Sequence, residues 1–198
     1  MIDAYTWTTP NGFKLLIALE ELGLDYKLHW IDIGKGAQST PEYVAINPNS
    51  KIPALVDGEH KVFESGACLL YLADKTGKLM PKDKYTALEW MFWQVGGTGP
   101  MLGQYSHFEK FAKEKIPYAI DRYKQESERL MKVLDRRLGE AKYLAGDEFS
   151  MADIINWTWP NAARSFLKMD LSGYPHLTRW LDELAARPAF VKAMAMKP

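Results

Sequence analysis

The chain has 198 residues, of which 47% are hydrophobic and 13% aromatic, enough for one large or two small packed domains and too apolar for widespread disorder. Its 25 basic residues match its 25 acidic ones, which removes the broad positive field that a nucleic-acid partner requires. A single cysteine, Cys68, excludes an intrachain disulfide and a thiolate metal site, and His29, His60, His107 and His176 show no ligand spacing, so no metal is expected.

In chain order, Met1–Tyr5 reads as a short strand with apolar residues at alternate places. Asn11–Leu22 reads as a helix, with Leu15, Leu19 and Leu22 on one stripe and Gly23 as its stop. Tyr26, Leu28 and Trp30 alternate with Lys27 and His29, the pattern of a strand with one buried face. A polar, glycine-containing loop at 34–39 follows. Ile52–Val56 is a continuous apolar run expected to be a buried strand, Asp57-Gly58 a turn, and Lys61–Phe63 the returning partner. Ser65–Lys75 is expected to be a helix with Ser65 as its N-cap. The order βαβ, hairpin, helix makes a small mixed sheet with helices on it, the thioredoxin-like arrangement.

Gly77–Pro81 is the best linker candidate. Beyond it strand signals nearly vanish, and 85–111, 117–141, 151–167 and 174–186 carry helical periodicity. The expected organisation is a thioredoxin-like α/β domain over 1–77, a linker over 78–84 and an all-α domain over 85–198. Ser150-Met151-Ala152-Asp153 matches a capping-box variant, a structural feature. The start, Met1–Tyr5, has no basic region followed by an apolar run, and no stretch approaches the length of a membrane span. A cytoplasmic protein with no membrane partner is expected.

Three segments of the first domain carry chemistry. Thr8-Thr9-Pro10-Asn11-Gly12 lies where a strand ends and a helix starts; its N–H groups, hydroxyls and amide suit an anion such as a thiolate, or serve as ordinary capping. Lys51-Ile52-Pro53 opens a buried strand with a residue that cannot donate to the ladder. A cis bond there would present the Ile52 main chain to a peptide laid alongside. Glu64-Ser65-Gly66 again begins a helix: Ser65 and nearby N–H groups suit a carboxylate, and Glu64 an amine, although a plain helix start explains the same residues. Taken together, the segments form a slot for a short peptide with an amino-acid head, a backbone middle and a thiol, which is glutathione.

Tyr5…Thr9-Pro10-Asn11-Gly12, the run Asn47–Val56 and Phe63–Ala67 resemble the N-terminal domain of the glutathione transferases. The runs Trp93–Gln104, Ile116–Tyr123 and Phe149–Ile154 are similar to the C-terminal domain of the bacterial nu-class branch, which includes glutathione-dependent disulfide reductases. The resemblance implies that Thr9 and Asn11 stabilise the glutathione sulfur. It implies that Ile52, beside a cis Pro53, pairs with the cysteinyl unit, and that Glu64 and Ser65 hold the γ-glutamyl head. Gln38 and Lys51 would approach the glycyl carboxylate, and Arg122 would contact glutathione from the helical domain, within its own subunit or across a homodimer.

Many transferases set a Tyr, Ser or Cys against the thiol, whereas here the first turn offers threonines. Tyr5 is read as core, Cys68 as a buried inert thiol, and His107 as a surface residue. Trp90, Phe92 and Trp93 are read as core or subunit interface, and Lys110, Lys113 and Lys115 as a solvated face. The expected activity is reduction of a disulfide by bound glutathione, with a second glutathione resolving the mixed disulfide. The alternatives are conjugation of a small electrophile and a non-catalytic binding protein with the same fold.

Overall fold

The computed structural model describes residues 1–198, which separate into two compact units, 1–80 with 186–198 and 81–185. The first unit begins with β1 (Ile2–Thr6), α1 (Pro10–Leu22) and β2 (Tyr26–Trp30). A 3₁₀ turn (Ala37–Ser39) and the short α2 (Pro41–Val44) lead to β3 (Ala54–Asp57), β4 (His60–Phe63) and α3 (Ser65–Thr76). The sheet order is β2-β1-β3-β4. β1 runs parallel to β2 and antiparallel to β3, and β3–β4 is a hairpin. This is the mixed, thioredoxin-like sheet that the alternation of strand and helix signals implies.

Side-chain alternation sorts β1 into two faces. Ile2, Ala4 and Thr6 are buried, while Tyr5 points to the opposite face, where it stacks on His29 with ring centroids 4.5 Å apart and meets Tyr43 of α2. α1 ends where Gly23 takes a left-handed φ of 64°, which spares a side chain the steric cost of that conformation.

The second unit is helical throughout. α4 (Lys84–Trp93) passes through a π-helical turn (Gln94–Thr98) into α5 (Gly99–Ser106) and a second π-turn (His107–Phe111). The helical periodicity read over 85–111 is thus one path wound in four pieces. Gly99 closes the first π-turn in close quarters: a Cβ there would come within 2.7 Å of Gln94 Nε2 and 3.3 Å of the Gln94 carbonyl oxygen. α6 (Pro117–Glu140), α7 (Met151–Ser165) and α8 (Pro175–Ala185) follow. The capping box forms as read, with Ser150 and Asp153 bonding each other's backbone.

Two features depart from the sequence reading. A last helix, α9 (Pro188–Ala195), packs on α1, so the segment assigned with the helical domain groups with the first unit. Arg187 clasps Glu21 at 2.6 and 2.8 Å and Lys192 meets Glu20 at 2.7 Å, pairings that no helical period reveals. Ser65, expected as the N-cap of α3, is its first helical residue; Glu64 caps it with a φ of 71° and no side-chain capping bond. The reason lies in what the Ser65 hydroxyl does instead.

Candidate active site

β1 delivers the chain to the start of α1, where Thr9 is the N-cap and its Oγ1 accepts from Gly12 N–H at 3.1 Å. Gly12 is required by close approach, since a Cβ there would lie 2.0 Å from the Trp7 carbonyl oxygen and 2.5 Å from Thr6 Oγ1. One turn along, Lys14 is 1% exposed, and its Nζ donates to Asn11 Oδ1 at 2.9 Å and to Ser65 Oγ at 3.4 Å. The serine hydroxyl is therefore an acceptor for a buried ammonium rather than a cap. Burial pushes the Lys14 pKa down to about 7, against the upward pull of the Glu64 carboxylate.

The segment before β3 is held with equal care. The Lys51 carbonyl accepts from Tyr43 Oη and from Asn47 Nδ2, both at 2.6 Å, while the lysine side chain is exposed. The Ile52–Pro53 bond is cis. Ile52 lies outside the β3 ladder, and the turns on either side use neither its N–H nor its C=O. Asn49 Nδ2 then donates to Glu64 Oε1 at 3.3 Å. Glu64 itself is exposed and sits in a backbone conformation that side chains rarely adopt, the kind of local strain found at binding sites.

Hydrogen bonds thus connect all three segments: Lys14 joins the first to the third, and Asn49 joins the second to the third. Gln38 stands on the 3₁₀ turn, apart from this network; its segment reaches the rest through Tyr43. Its Oε1 is buried without a hydrogen-bond partner in the chain, a cost that a polar ligand would relieve. The helix starts of α1 and α3 supply N–H groups and favour negative charge, while Glu64 supplies the one carboxylate among them. Donors for a thiolate and a carboxylate beside an acceptor for an amine fit a glutathione-like peptide.

Arg122 belongs to the second unit. It lies exposed on α6 in an open groove of about 700 Å³ with Met101, Tyr118 and Tyr123. Its charge adds to the Arg129 pair, 2.7 Å away, that holds Glu126 below the usual carboxylate range. His107 is exposed, Trp90 and Trp93 meet edge to face, and Phe92 is 65% exposed.

Cys68 is fully buried on α3, its Sγ donating to the Val62 carbonyl at 3.4 Å. Burial and then the Glu64 charge push its thiol up to about 12. No three His, Cys, Asp or Glu side chains gather as a metal site, and no helix is long and apolar enough to cross a membrane.

Lys14 is the buried member of this network that the sequence analysis does not single out. The signal was present: Asn11, Lys14 and Ala18 share one face of α1, so a lysine three residues after a site asparagine points at the same neighbours.

Comparison with known proteins identifies the family. Family models of the glutathione S-transferase N-terminal and C-terminal domains match residues 2–74 and 100–188. The disulfide-bond oxidoreductase YfcG of Escherichia coli is 48% identical over 204 residues, covering 98% of this chain and 94% of that protein. The disulfide-bond oxidoreductase YghU of the same organism is 41% identical, covering 95% and 72% respectively. Among solved structures, a Burkholderia graminis glutathione transferase with two glutathione molecules per subunit superposes with a TM-score of 0.93 at 41% identity, over 98% of this chain and 87% of that one. A Pseudomonas putida glutathione transferase with one glutathione disulfide per subunit gives 0.94 at 36% identity, over 100% and 92%. With both family models matched in order along the chain, this protein belongs to the glutathione transferase family.

Proposed function

We propose that the protein is a glutathione-dependent disulfide reductase of the nu-class type. The observation that carries this reading is a cradle of hydroxyl, amide and ammonium groups that contains no reactive sulfur of its own. The chain's one thiol is buried and held un-ionised. The nucleophile must therefore arrive with the ligand.

A free thiol of this kind ionises at about 8.5, so little is thiolate at neutral pH. Hydrogen bonds from Thr9 and Asn11, with the helix start behind them, would favour the anion. The glutathione thiolate attacks one sulfur of a disulfide substrate; a new S–S bond forms, the old one breaks, and the leaving thiolate takes up a proton. A second glutathione thiolate attacks the mixed disulfide at the first glutathione's sulfur, giving oxidised glutathione and the second substrate thiol. Two glutathiones are oxidised and one disulfide is reduced. Because nucleophilicity falls along with pKa, a moderate stabilisation of the thiolate serves exchange better than an extreme one. The two glutathiones, or one glutathione disulfide, seen per subunit in the two relatives above support this stoichiometry.

In this reading Ile52 and Pro53 take the cysteinyl unit, Glu64 and Ser65 the γ-glutamyl head, and Gln38 and Lys51 the glycyl carboxylate. Arg122 contributes from the helical unit of a homodimeric, cytoplasmic enzyme. Steady-state assays with a small model disulfide and with chlorodinitrobenzene test the activity. Rapid disulfide reduction with negligible conjugation is expected. The reverse pattern would make the protein a conjugating transferase, and no glutathione binding by calorimetry would make it a non-catalytic relative.

A further inference from the structure

A lysine that is 1% exposed needs a reason. Long cationic side chains are almost never fully buried unless paired, and a methionine of similar length would occupy the same space without desolvating a charge. Both hydrogen-bonded partners of Lys14 given above are groups that can either donate or accept, the Asn11 amide and the Ser65 hydroxyl. An ammonium has three donors and no acceptor. It can be met by Asn11 only through Oδ1, and by Ser65 only through an oxygen lone pair. The hydrogens remaining to each partner, on Asn11 Nδ2 and on Ser65 Oγ, are then donors. The lysine turns two ambivalent groups into groups that favour anions.

We propose that Lys14 is a positioning residue for the glutathione site: donating to Asn11 and Ser65 together, it locks the start of α1 to the head of α3 and commits both side chains to donor roles. The inference rests on the functional reading above, with Asn11 facing the thiolate and Ser65 the γ-glutamyl carboxylate. It makes sulfur stabilisation and head-group binding interdependent, because one buried side chain orients the groups that serve both. Glu64 acts on Lys14 from the head of α3; on α1, Glu20 and Glu21 are engaged by Lys192 and Arg187 of α9; on β1, Asp3 pairs with His29 at 2.6 Å.

The test uses the full chain with Lys14→Met, Lys14→Gln and Asn11→Ala, alone and combined. In the unliganded wild type, the NMR signals of the Asn11 carboxamide are expected to move as Lys14 titrates through neutral pH, and in folded Lys14→Met they are expected to stay fixed. Calorimetric affinity for glutathione is expected to fall about tenfold, and kcat for disulfide reduction by about ten- to a hundredfold. Adding Asn11→Ala to Lys14→Met is expected to lower kcat little further, since the lysine acts through the asparagine.

Folded Lys14→Met or Lys14→Gln with wild-type affinity and kcat would overturn the proposal, as would fully multiplicative losses in the double variant. If both Lys14 variants fail to fold, the residue belongs to the fold alone and the proposal falls. The two readings fail separately. A wild type that binds no glutathione sinks the functional reading, while the Asn11 titration, which needs no ligand, still decides the lysine's role.

Discussion

Two helix starts, one in each unit, carry a buried ionisable side chain, and they put it to opposite uses. At α7 the carboxylate of Asp153 is 0% exposed and accepts from Leu144 N, Ser150 N and Trp180 Nε1 at 3.0 Å and from Ser150 Oγ at 3.2 Å. The charge is surrounded by the chain's own donors, and the helix start is closed. At α1 and α3 the buried charge is a cation, and it consumes acceptors rather than donors. Glu64 begins α3 at a φ of 71° with no side-chain cap. A helix N-terminus attracts anions in either case. In the proposed reading, the start whose anion the protein does not supply is the one that takes the ligand's.

The comparison breaks first, and by the largest amount, at Asp153. Asp153→Ala strands three buried N–H donors in the chain's own interior, a loss expected to cost about 3–5 kcal/mol. For a chain of this size that is a fall of about 10 °C or more in the melting temperature, read by circular dichroism. Glutathione affinity per folded molecule is expected to persist at low temperature. A loss below about 1 kcal/mol would show that the closed helix start is not what holds α7.

At the open helix starts the balance between stability and activity is reversed. Thr9→Ala and Asn11→Ala are each expected to lower kcat/KM for disulfide reduction about ten- to a hundredfold. The stability cost of losing the Thr9 cap is expected to stay at about 1 kcal/mol in urea melts. A Thr9 variant that unfolds readily but reduces disulfides normally would make this start another capping device.

How much of this contrast the sequence discloses depends on what each residue reports locally. The closed start is legible, because Ser150 and Asp153 stand at capping-box spacing ahead of an apolar helix. The strands and the ends of α1 are legible from alternation and from Gly23. The three loops of the proposed site stand out through their residue types and their family resemblance. The Asn49–Glu64 bond, the Lys14–Ser65 bond and the docking of α9 on α1 link residues far apart in the chain, and no periodicity encodes them. Lys14 shows the limit most clearly: in sequence a lysine on an amphipathic helix reads as solvent-facing, and its burial is set by α3, some fifty residues later.

The two buried charges also predict opposite pH slopes, which sharpen the contrast. Folded Lys14 holds its proton only up to a pH of about 7, against 10.5 for an ordinary lysine. Between those values the unfolded chain binds the extra proton. The stability linked to this group is therefore complete above 10.5 and lost as pH falls through about 7. The slope is at most about 1.4 kcal/mol per pH unit. Lys14→Met is expected to be more stable than the wild type at neutral pH, with the gap closing as pH rises. Asp153 runs the other way. Burial raises its pKa from 3.8 to about 6, so its contribution is complete below 3.8 and lost as pH rises through about 6. Denaturant melts across both windows measure the two slopes, and a Lys14→Met variant with the wild-type slope above neutral pH would remove the buried-cation account.

The smallest effect is expected at Cys68, which lies on the same helix as Ser65 and within the field of Glu64. It is a stringent probe of whether the open start works through ligand sulfur alone. The thiol is buried, donates to the Val62 carbonyl and is pushed up to about 12, so almost none is thiolate at neutral pH. Cys68→Ala removes one sulfur from the core, at about 1 kcal/mol or slightly more, and touches none of the groups that orient Asn11 or Ser65. Turnover with a model disulfide should remain within about twofold of the wild type, a change of about 0.4 kcal/mol in the barrier. A loss of tenfold or more in a variant that melts normally would mean that protein sulfur takes part in the exchange, and that the cradle at α1 and α3 assists a cysteine rather than replacing one.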